Sequence, residues 1–299
     1  MEIVREVRAL QARADAERAA GRRLALVPTM GALHEGHVAL VAEARRRADV
    51  VVVSIFVNPT QFGPGEDFAA YPRPFEADAA RCREAGVDVL FAPSAEAMYP
   101  AGFQTFVEVE RIAKPLCGAS RPGHFRGVAT VVTKLLLAAK PHLALFGEKD
   151  YQQLALIRRL VLDLGVDVEI VGVPTAREPD GLARSSRNVF LGPEARAQAA
   201  ALRRALRAAE DAVAAGERDA GGLLAGVRRE LAKAPLAEVD YAELRDAETL
   251  DPAPARLAGP TLLALAVRFP AASSPRGVRL IDNTVLRPRA APAGREGSP

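Results

Sequence analysis

The sequence predicts an α/β fold, a doubly wound parallel sheet followed by a smaller α+β C-terminal domain. Short runs rich in Val, Ile, Leu and Phe recur at residues 24–27, 50–57, 87–92, 143–146 and 168–173. They are continuous rather than alternating, as in strands buried on both faces. Helical patterns fill the intervals at about 36–47, 74–85, 127–139 and 151–164, and that alternation implies a parallel sheet. The rhythm changes after Pro174, where the second domain is expected.

Taken in order, the chain opens with a charged helical stretch carrying Glu2, Arg5, Arg8, Arg13, Asp15, Glu17 and Arg18. The five apolar runs and their helices follow. A shorter piece, 105–110, alternates apolar and charged residues and reads as an added edge strand or a flap. Beyond Pro174 a polar stretch, 177–188, leads into Ala-rich helices at about 193–215 and 220–233, then strands near 239–244, 261–267 and 278–281. From Arg287 the chain is Pro, Ala, Gly and Arg with no apolar period, which predicts disorder. The expected domains are therefore 1–175, Rossmann-like, and 176–286, small α+β, with a tail at 287–299. No internal repeat is visible.

At 299 residues, 49% of them hydrophobic, the chain can bury a sizeable core. The charges in its first twenty residues break any apolar segment of the kind a signal peptide or membrane span needs, so a cytoplasmic protein with no membrane partner is expected. Cys82 and Cys117 lie outside any Cys-x-x-Cys pattern and give no disulfide framework; buried free thiols are the expectation. A net charge of +3, no Trp and few aromatics do not indicate nucleic-acid binding; an anionic small substrate suits the charge equally well. Lysine occurs only at Lys114, Lys134, Lys140, Lys149 and Lys233, so a lysine in the Gly-Glu-Lys-Asp turn invites a chemical explanation.

In doubly wound sheets ligands bind beyond the carboxyl ends of the strands. The run 24–27 leads into Met30-Gly-Ala-Leu-His-Glu-Gly-His37, a turn whose glycines let backbone approach a phosphate and whose following helix presents N–H groups to an anion. His34 and His37, two of only four histidines, can donate to the same phosphates. The alternatives are a purely structural Gly-rich turn and a zinc site; no His-Glu-x-x-His helix or cysteine cluster favours zinc, and no protein-held metal is expected. Lys149, with Arg187 in Ser-Ser-Arg-Asn, supplies two cations from different loops, suited to a triphosphate, and Ser185 and Ser186 add hydroxyl donors. A solvated turn lysine is the alternative for Lys149. Asp150 can accept from a ribose hydroxyl or help hold a Mg2+ ion arriving with the nucleotide.

Asn58 and Gln61, beside Phe56 and Phe62, suit a small substrate with hydroxyls on an apolar skeleton, or form an ordinary Asn-Pro turn. Gln153 faces the same pocket or is an exposed helix glutamine. His124 closes over an anion together with Arg121 or Arg126, or belongs to a plain capping loop. There is no Ser-His-Asp order, no Walker A loop and no Gly-x-Gly-x-x-Gly.

Five segments, Pro28 to His37, Phe56 to Phe62, Gly123-His-Phe-Arg-Gly127, Phe146-Gly-Glu-Lys-Asp-Tyr-Gln-Gln153 and Asp180 to Asn188, closely resemble pantothenate synthetases. The first alone would indicate only the nucleotidylyl transferase superfamily. The resemblance implies ATP-dependent ligation of pantoate and β-alanine to pantothenate, a coenzyme A precursor, through a pantoyl adenylate, with AMP and pyrophosphate released and a homodimer as the assembly. It assigns the ATP site to Met30, Gly31, Ala32, Leu33, His34, Glu35, Gly36, His37, Gly147, Glu148, Lys149, Asp150, Ala176, Arg184, Ser185, Ser186 and Arg187. His34, His37, Lys149 and Arg187 would be catalytic, with His37 as proton donor. Gln61 and Gln153 would hold pantoate, and Gln61 would also meet β-alanine. The family usually has an apolar residue where this chain has Arg184, which adds a cation if its side chain turns inward. The polar loop 64–71 is the expected lid over the reactive adenylate. Two rivals are another nucleotidylyl transferase with a different acceptor and a non-catalytic nucleotide-binding module; a tRNA synthetase would need a Lys-Met-Ser-Lys-Ser segment, which is not present.

Overall fold

A computed structural model of the chain describes residues 1–64, 66, 68–271 and 274–288. The described residues form two compact units: 1–177 with 184–186, and 178–183 with those from 187 on.

The first unit is built on strands β1 (Glu2–Val4), β2 (Leu24–Thr29), β3 (Val50–Ile55), β4 (Val89–Phe91), β5 (Leu143–Gly147) and β6 (Glu169–Val173). They form one sheet in the order β1-β4-β3-β2-β5-β6, every neighbouring pair parallel. Leu24 through Val27 and Leu143 through Phe146 are buried throughout. Such burial is worth roughly 1.5–3 kcal/mol for each large aliphatic side chain, and helices on both faces supply it. Those helices include α1 (Val7–Ala19), α2 (Glu35–Arg47), α3 (Phe75–Glu84), the short α4 (Ala95–Met98) and α5 (Cys117–Ser120), α6 (His124–Ala139) and α7 (Tyr151–Asp163). From β2 the chain winds outward through β3 and β4, whereas β5 and β6 lie on the other side of β2. The winding direction therefore reverses between β2 and β5, the position where such sheets open a ligand crevice.

The structure departs from expectation at the N-terminus, and at 105–110 it removes the edge-strand reading and not the flap. The N-terminal stretch is not wholly helical, because residues 2–4 pair with β4 in the register Glu2↔Val89, Ile3↔Leu90 and Val4↔Phe91. The segment 105–110 is no strand. It is held by side chains: Val107 N–H donates to Thr130 Oγ1 at 3.0 Å, and the Arg126 guanidinium lies 3.8 Å from the centre of the Phe106 ring.

The second unit has a three-stranded antiparallel sheet, β7 (Glu238–Asp246), β8 (Thr261–Ala271) and β9 (Ser274–Leu286), with β8 central. Helices α8 (Pro193–Ala199), α9 (Ala201–Ala214) and α10 (Ala220–Ala232) belong to it. The single helix expected over 193–215 is divided at Ala200, where ψ is −11°. Leu202, Ala205, Leu206, Ala209 and Val213 form one face of α9 and join Leu263, Leu265 and Phe269 in the core.

Cys82 and Cys117 are both buried and not joined in a disulfide, and among the described residues no helix is long and apolar enough to cross a membrane. Within the expected lid, Gly65 and Asp67 lie outside the described residues, as do residues 289–299 of the expected tail.

Candidate active site

The turn between β2 and α2 is organised by its two histidines. His34 is the N-cap of α2, and its Nδ1 accepts from Gly36 N–H at 3.1 Å. His37, three residues on, returns the bond, its Nδ1 accepting from His34 N–H at 3.2 Å. This is the reciprocal logic of a capping box carried out by imidazoles. Gly36 permits it, because a Cβ there would sit 2.8 Å from His34 Cε1. The rings lie 4.2 Å apart, centroid to centroid.

These bonds set the tautomers. A ring nitrogen that accepts from an amide carries no proton, so each neutral ring bears its proton on Nε2. Burial is the largest influence and lowers His34 to a pKa of about 4, with Lys149 second. His37 is lowered further, to about 3, by burial, then by His34, Lys149 and Arg81. Both are neutral at pH 7 and present Nε2–H as a donor.

The backbone contributes less than the sequence implies. Gly31 N–H is taken by Thr29 Oγ1, Ala32 and Leu33 N–H by the Asp78 carboxylate, His34 and Gly36 N–H by the imidazoles, and His37 N–H by His34 C=O. The expected phosphate cradle of main-chain donors is thus largely satisfied from within, because buried N–H groups must find partners. The side chains are left to meet an anion.

On the other side of the switch point, β5 runs into the 3₁₀ turn Glu148–Asp150 and then α7. Lys149 Nζ reaches Arg184 C=O at 3.5 Å, and Arg184 N–H donates to Ala176 C=O at 2.9 Å. Ala176, Arg184 and Lys149 therefore stand together beside the histidine turn, with Ala176 within 3.8 Å of where a Cβ on Gly36 would lie. The Arg184 side chain pairs with Glu35 on the first turn of α2, at 2.7 Å. Its charge is matched by that carboxylate. Ser185 and Ser186 are half-buried. Arg187 lies on the 3₁₀ turn Ser186–Phe190 and is also half-buried.

The third group follows β3. Asn58 is 1% exposed and fully engaged: its Nδ2 donates to Gln61 Oε1 and Gly127 C=O, and its Oδ1 accepts from the hydroxyls of Tyr99 and Thr60. Its side-chain polar atoms are all bonded within the protein. Gln61 Nε2 lies 3.0 Å from Met30 Sδ, which joins this segment to the histidine turn. His124 and Arg121 are bonded within the chain. His124 Nδ1 donates to Gln61 C=O at 2.8 Å, Arg121 donates to His124 Nε2 at 3.0 Å, and Arg121 forks onto Glu66 at 2.8 and 2.6 Å. Arg126 stacks on Phe106 instead. On α7 Gln153 is half-buried, while Gln152 pins the segment before α5 through Cys117 N–H, Ile112 C=O and Pro115 C=O.

Sequence reasoning passed over Asp78 and Arg81. Their partners lie 45 or more residues upstream, so no local pattern marks them.

Residues 2–285 match the family model described as pantoate-beta-alanine ligase. The chain is 56% identical to the pantothenate synthetase of Geobacter sulfurreducens over 286 residues, 96% of this chain and 99% of that one. Among solved structures it is similar to a pantothenate synthetase from Thermus thermophilus, with TM-score 0.89 and 48% identity over 96% of this chain and 100% of that one. A pantoate-β-alanine ligase from Francisella tularensis, complexed with β,γ-ATP and β-alanine, matches with TM-score 0.75 and 35% identity, over 95% of this chain and 97% of that one.

Proposed function

Because the chain belongs to the pantoate-β-alanine ligase family, we propose that its histidine turn, the Lys149 turn and the Gln61 pocket carry out ATP-dependent ligation of pantoate and β-alanine. The observation that carries this residue-level reading is the pair of neutral imidazoles with their Nε2–H donors held beside the Lys149 ammonium. Neutral donors and one lysine suit a polyphosphate that brings its own magnesium. Among the described residues no group of three His, Cys, Asp or Glu side chains is arranged to hold a metal.

In the first step the pantoate carboxylate attacks the α-phosphorus of ATP. The new bond is an acyl phosphate, and pyrophosphate departs with the electrons of the broken P–O bond. Two anions are brought together, so repulsion must be offset by fixed positive charge and by donors. Lys149, Arg187 and Mg2+ supply the charge; His34, His37, Ser185 and Ser186 supply donors. Glu35, Gly147, Glu148, Asp150 and Ala176 line the nucleotide, with Met30, Gly31, Ala32 and Leu33 forming the turn and Arg184 contributing its backbone. His37, which the resemblance makes the proton donor, offers its Nε2–H to the leaving pyrophosphate and so stabilises the charge that develops there. Gln61 and Gln153 hold the hydroxyls of pantoate, so the carboxylate is aligned before it reacts.

In the second step the amine of β-alanine attacks the acyl carbon, an amide forms, a proton leaves the nitrogen and AMP departs. Water competes for the same carbon, so the loop 64–71 is assigned as the lid. The resemblance further supports a cytoplasmic homodimer as the working form.

Pyrophosphate release from Mg2+ and ATP tests the reading directly. Pantoate alone should give one equivalent, and added β-alanine should convert this to multiple turnovers. Release that ignores pantoate would send the assignment to a different acceptor acid.

A further inference from the structure

The histidine turn contains two consecutive residues in the left-handed region, Gly31 at φ +86° and Ala32 at φ +50°. Glycine accepts this conformation freely, but alanine does so at a cost of order 1 kcal/mol or more and persists there only where its surroundings over-determine it. What over-determines it is α3, a crossover helix from a distant part of the chain. Asp78, on the first turn of α3, is 2% exposed, and its two oxygens each take one amide: Oδ2 from Ala32 N–H at 2.8 Å and Oδ1 from Leu33 N–H at 2.7 Å. One turn along the same helix, Arg81 donates to Leu33 C=O. The turn is thus gripped by its N–H groups and by a carbonyl from a single helix.

Residue 33 is followed at once by His34, the cap of α2. A shift of the 31–33 backbone therefore rotates the base of His34 and, through the reciprocal bond, His37. In phosphate-binding loops two adjacent amides of this kind are commonly turned toward the anion. Here a carboxylate of the protein already occupies them, which leaves the phosphates to the imidazoles and makes the aim of those imidazoles decisive.

We propose that Asp78, seconded by Arg81, is a positioning residue for adenylation: it fixes the left-handed turn so that His34 and His37 meet the ATP phosphates. The proposal rests on the reading of the turn as the triphosphate site. It also predicts selectivity between the two half-reactions, since the pyrophosphate that the histidines hold has left before the second begins.

The experiment measures both half-reactions on one set of purified, folded variants. Adenylation is followed by pantoate-dependent exchange of pyrophosphate with ATP, and amide formation by adding β-alanine to chemically prepared pantoyl adenylate. Asp78→Asn keeps the shape but sets an amide NH2 against one of the two backbone N–H groups. It should lower adenylation roughly 10–100-fold, the scale of a misplacement near 1 Å, and leave amide formation within about twofold. Arg81→Gln should lower adenylation by about 3–10-fold with the same selectivity. Loss of both half-reactions in equal proportion, or adenylation at the wild-type rate in Asp78→Asn, overturns the proposal. If Asp78→Asn does not fold, Arg81→Gln decides by the same criterion. His37→Ala is the control for the underlying reading: if it adenylates normally, the turn is not the triphosphate site, whereas slow adenylation in His37→Ala beside normal adenylation in Asp78→Asn condemns only the role of Asp78.

Discussion

At His34 and His37 burial and function pull in one direction: the amides that orient the rings also dictate that the remaining proton sits on Nε2. The arrangement carries an acid liability. His34, His37 and His124 have pKa values lowered to about 4, about 3 and about 4, with burial the leading cause for each. As pH drops below about 6.5 the unfolded chain takes up protons on these groups while the folded chain does not. Stability is therefore complete above that pH and is lost as pH falls toward 4, by up to about 1.4 kcal/mol per pH unit for each histidine. Urea unfolding at a series of pH values should show this slope, and His37→Gln should flatten it; an equal slope in the variant would mean that His37 is not held neutral by the fold. Lys149→Ala and His37→Ala should each lower pantoate-dependent pyrophosphate release by about two to four orders of magnitude, the scale for loss of an electrostatic or acid-base group. A folded, fully active Lys149→Ala protein would remove that residue from the mechanism. The residues that make these aims possible were legible in part. Two histidines at a strand-to-helix turn are a local signal, whereas Asp78 shows itself only once α3 is packed behind the turn.

Among the elements, the approach of α6 to the 3₁₀ turn Pro59–Gln61 decides how Gln61 is presented. Gly127 is the point of contact, since a Cβ there would stand 2.3 Å from Thr60 C=O oxygen and 2.6 Å from Gln61 N. Backbone cannot yield as a flexible side chain does, so Gly127→Ala should force the two elements apart, at about 1–3 kcal/mol as for other overpacked sites. The KM for pantoate should rise about tenfold or more while ATP affinity holds; equal changes in both would point to general loosening. The loop that follows is clasped by Glu66 to Arg121, and burial, which pushes the Glu66 carboxyl up, is outweighed by the Arg121 hydrogen bonds and charge, leaving it below the ordinary range. That clasp persists above the usual carboxylate range and weakens only as pH falls below it. If the loop guards the adenylate, Glu66→Gln should raise the ratio of AMP released to pantothenate formed above one, and a ratio that stays at one would argue against the lid. The long buried strands were readable from their unbroken apolar runs, but β1 was not. Three residues carry too little periodicity, and it is β4 that makes them a strand.

For the whole molecule, the strand order could not be read from the sequence, because continuous apolar runs reveal burial on both faces and nothing about which strand neighbours which. The alternation of elements was enough to place His34, His37 and Lys149 at carboxyl ends of strands, and the order β3-β2-β5 then puts their two turns on either side of the reversal. For Arg121 and His124 the sequence left two readings open for the converse reason: basic residues before an apolar helix look alike whether they face a ligand or, as the structure has it, a carbonyl of their own chain. A pantoyl adenylate would fill both the nucleotide turn and the Gln61 pocket at once, joined through Met30 and Gln61. One ligand that occupies two subsites stabilises the fold by nearly the sum of their separate contributions without a second association cost. Mg2+ and ATP at about 100 times Kd should add about 2.7 kcal/mol to the unfolding free energy. Pantoate added to that mixture should raise the melting temperature well beyond either ligand alone, as the adenylate accumulates, and β-alanine should then remove most of the extra rise by consuming it. A melting temperature for ATP with pantoate no higher than for ATP alone would show that no tightly held adenylate forms. The same series on Lys149→Ala should show neither the large rise nor its collapse, because that variant is expected to reach the adenylate too slowly.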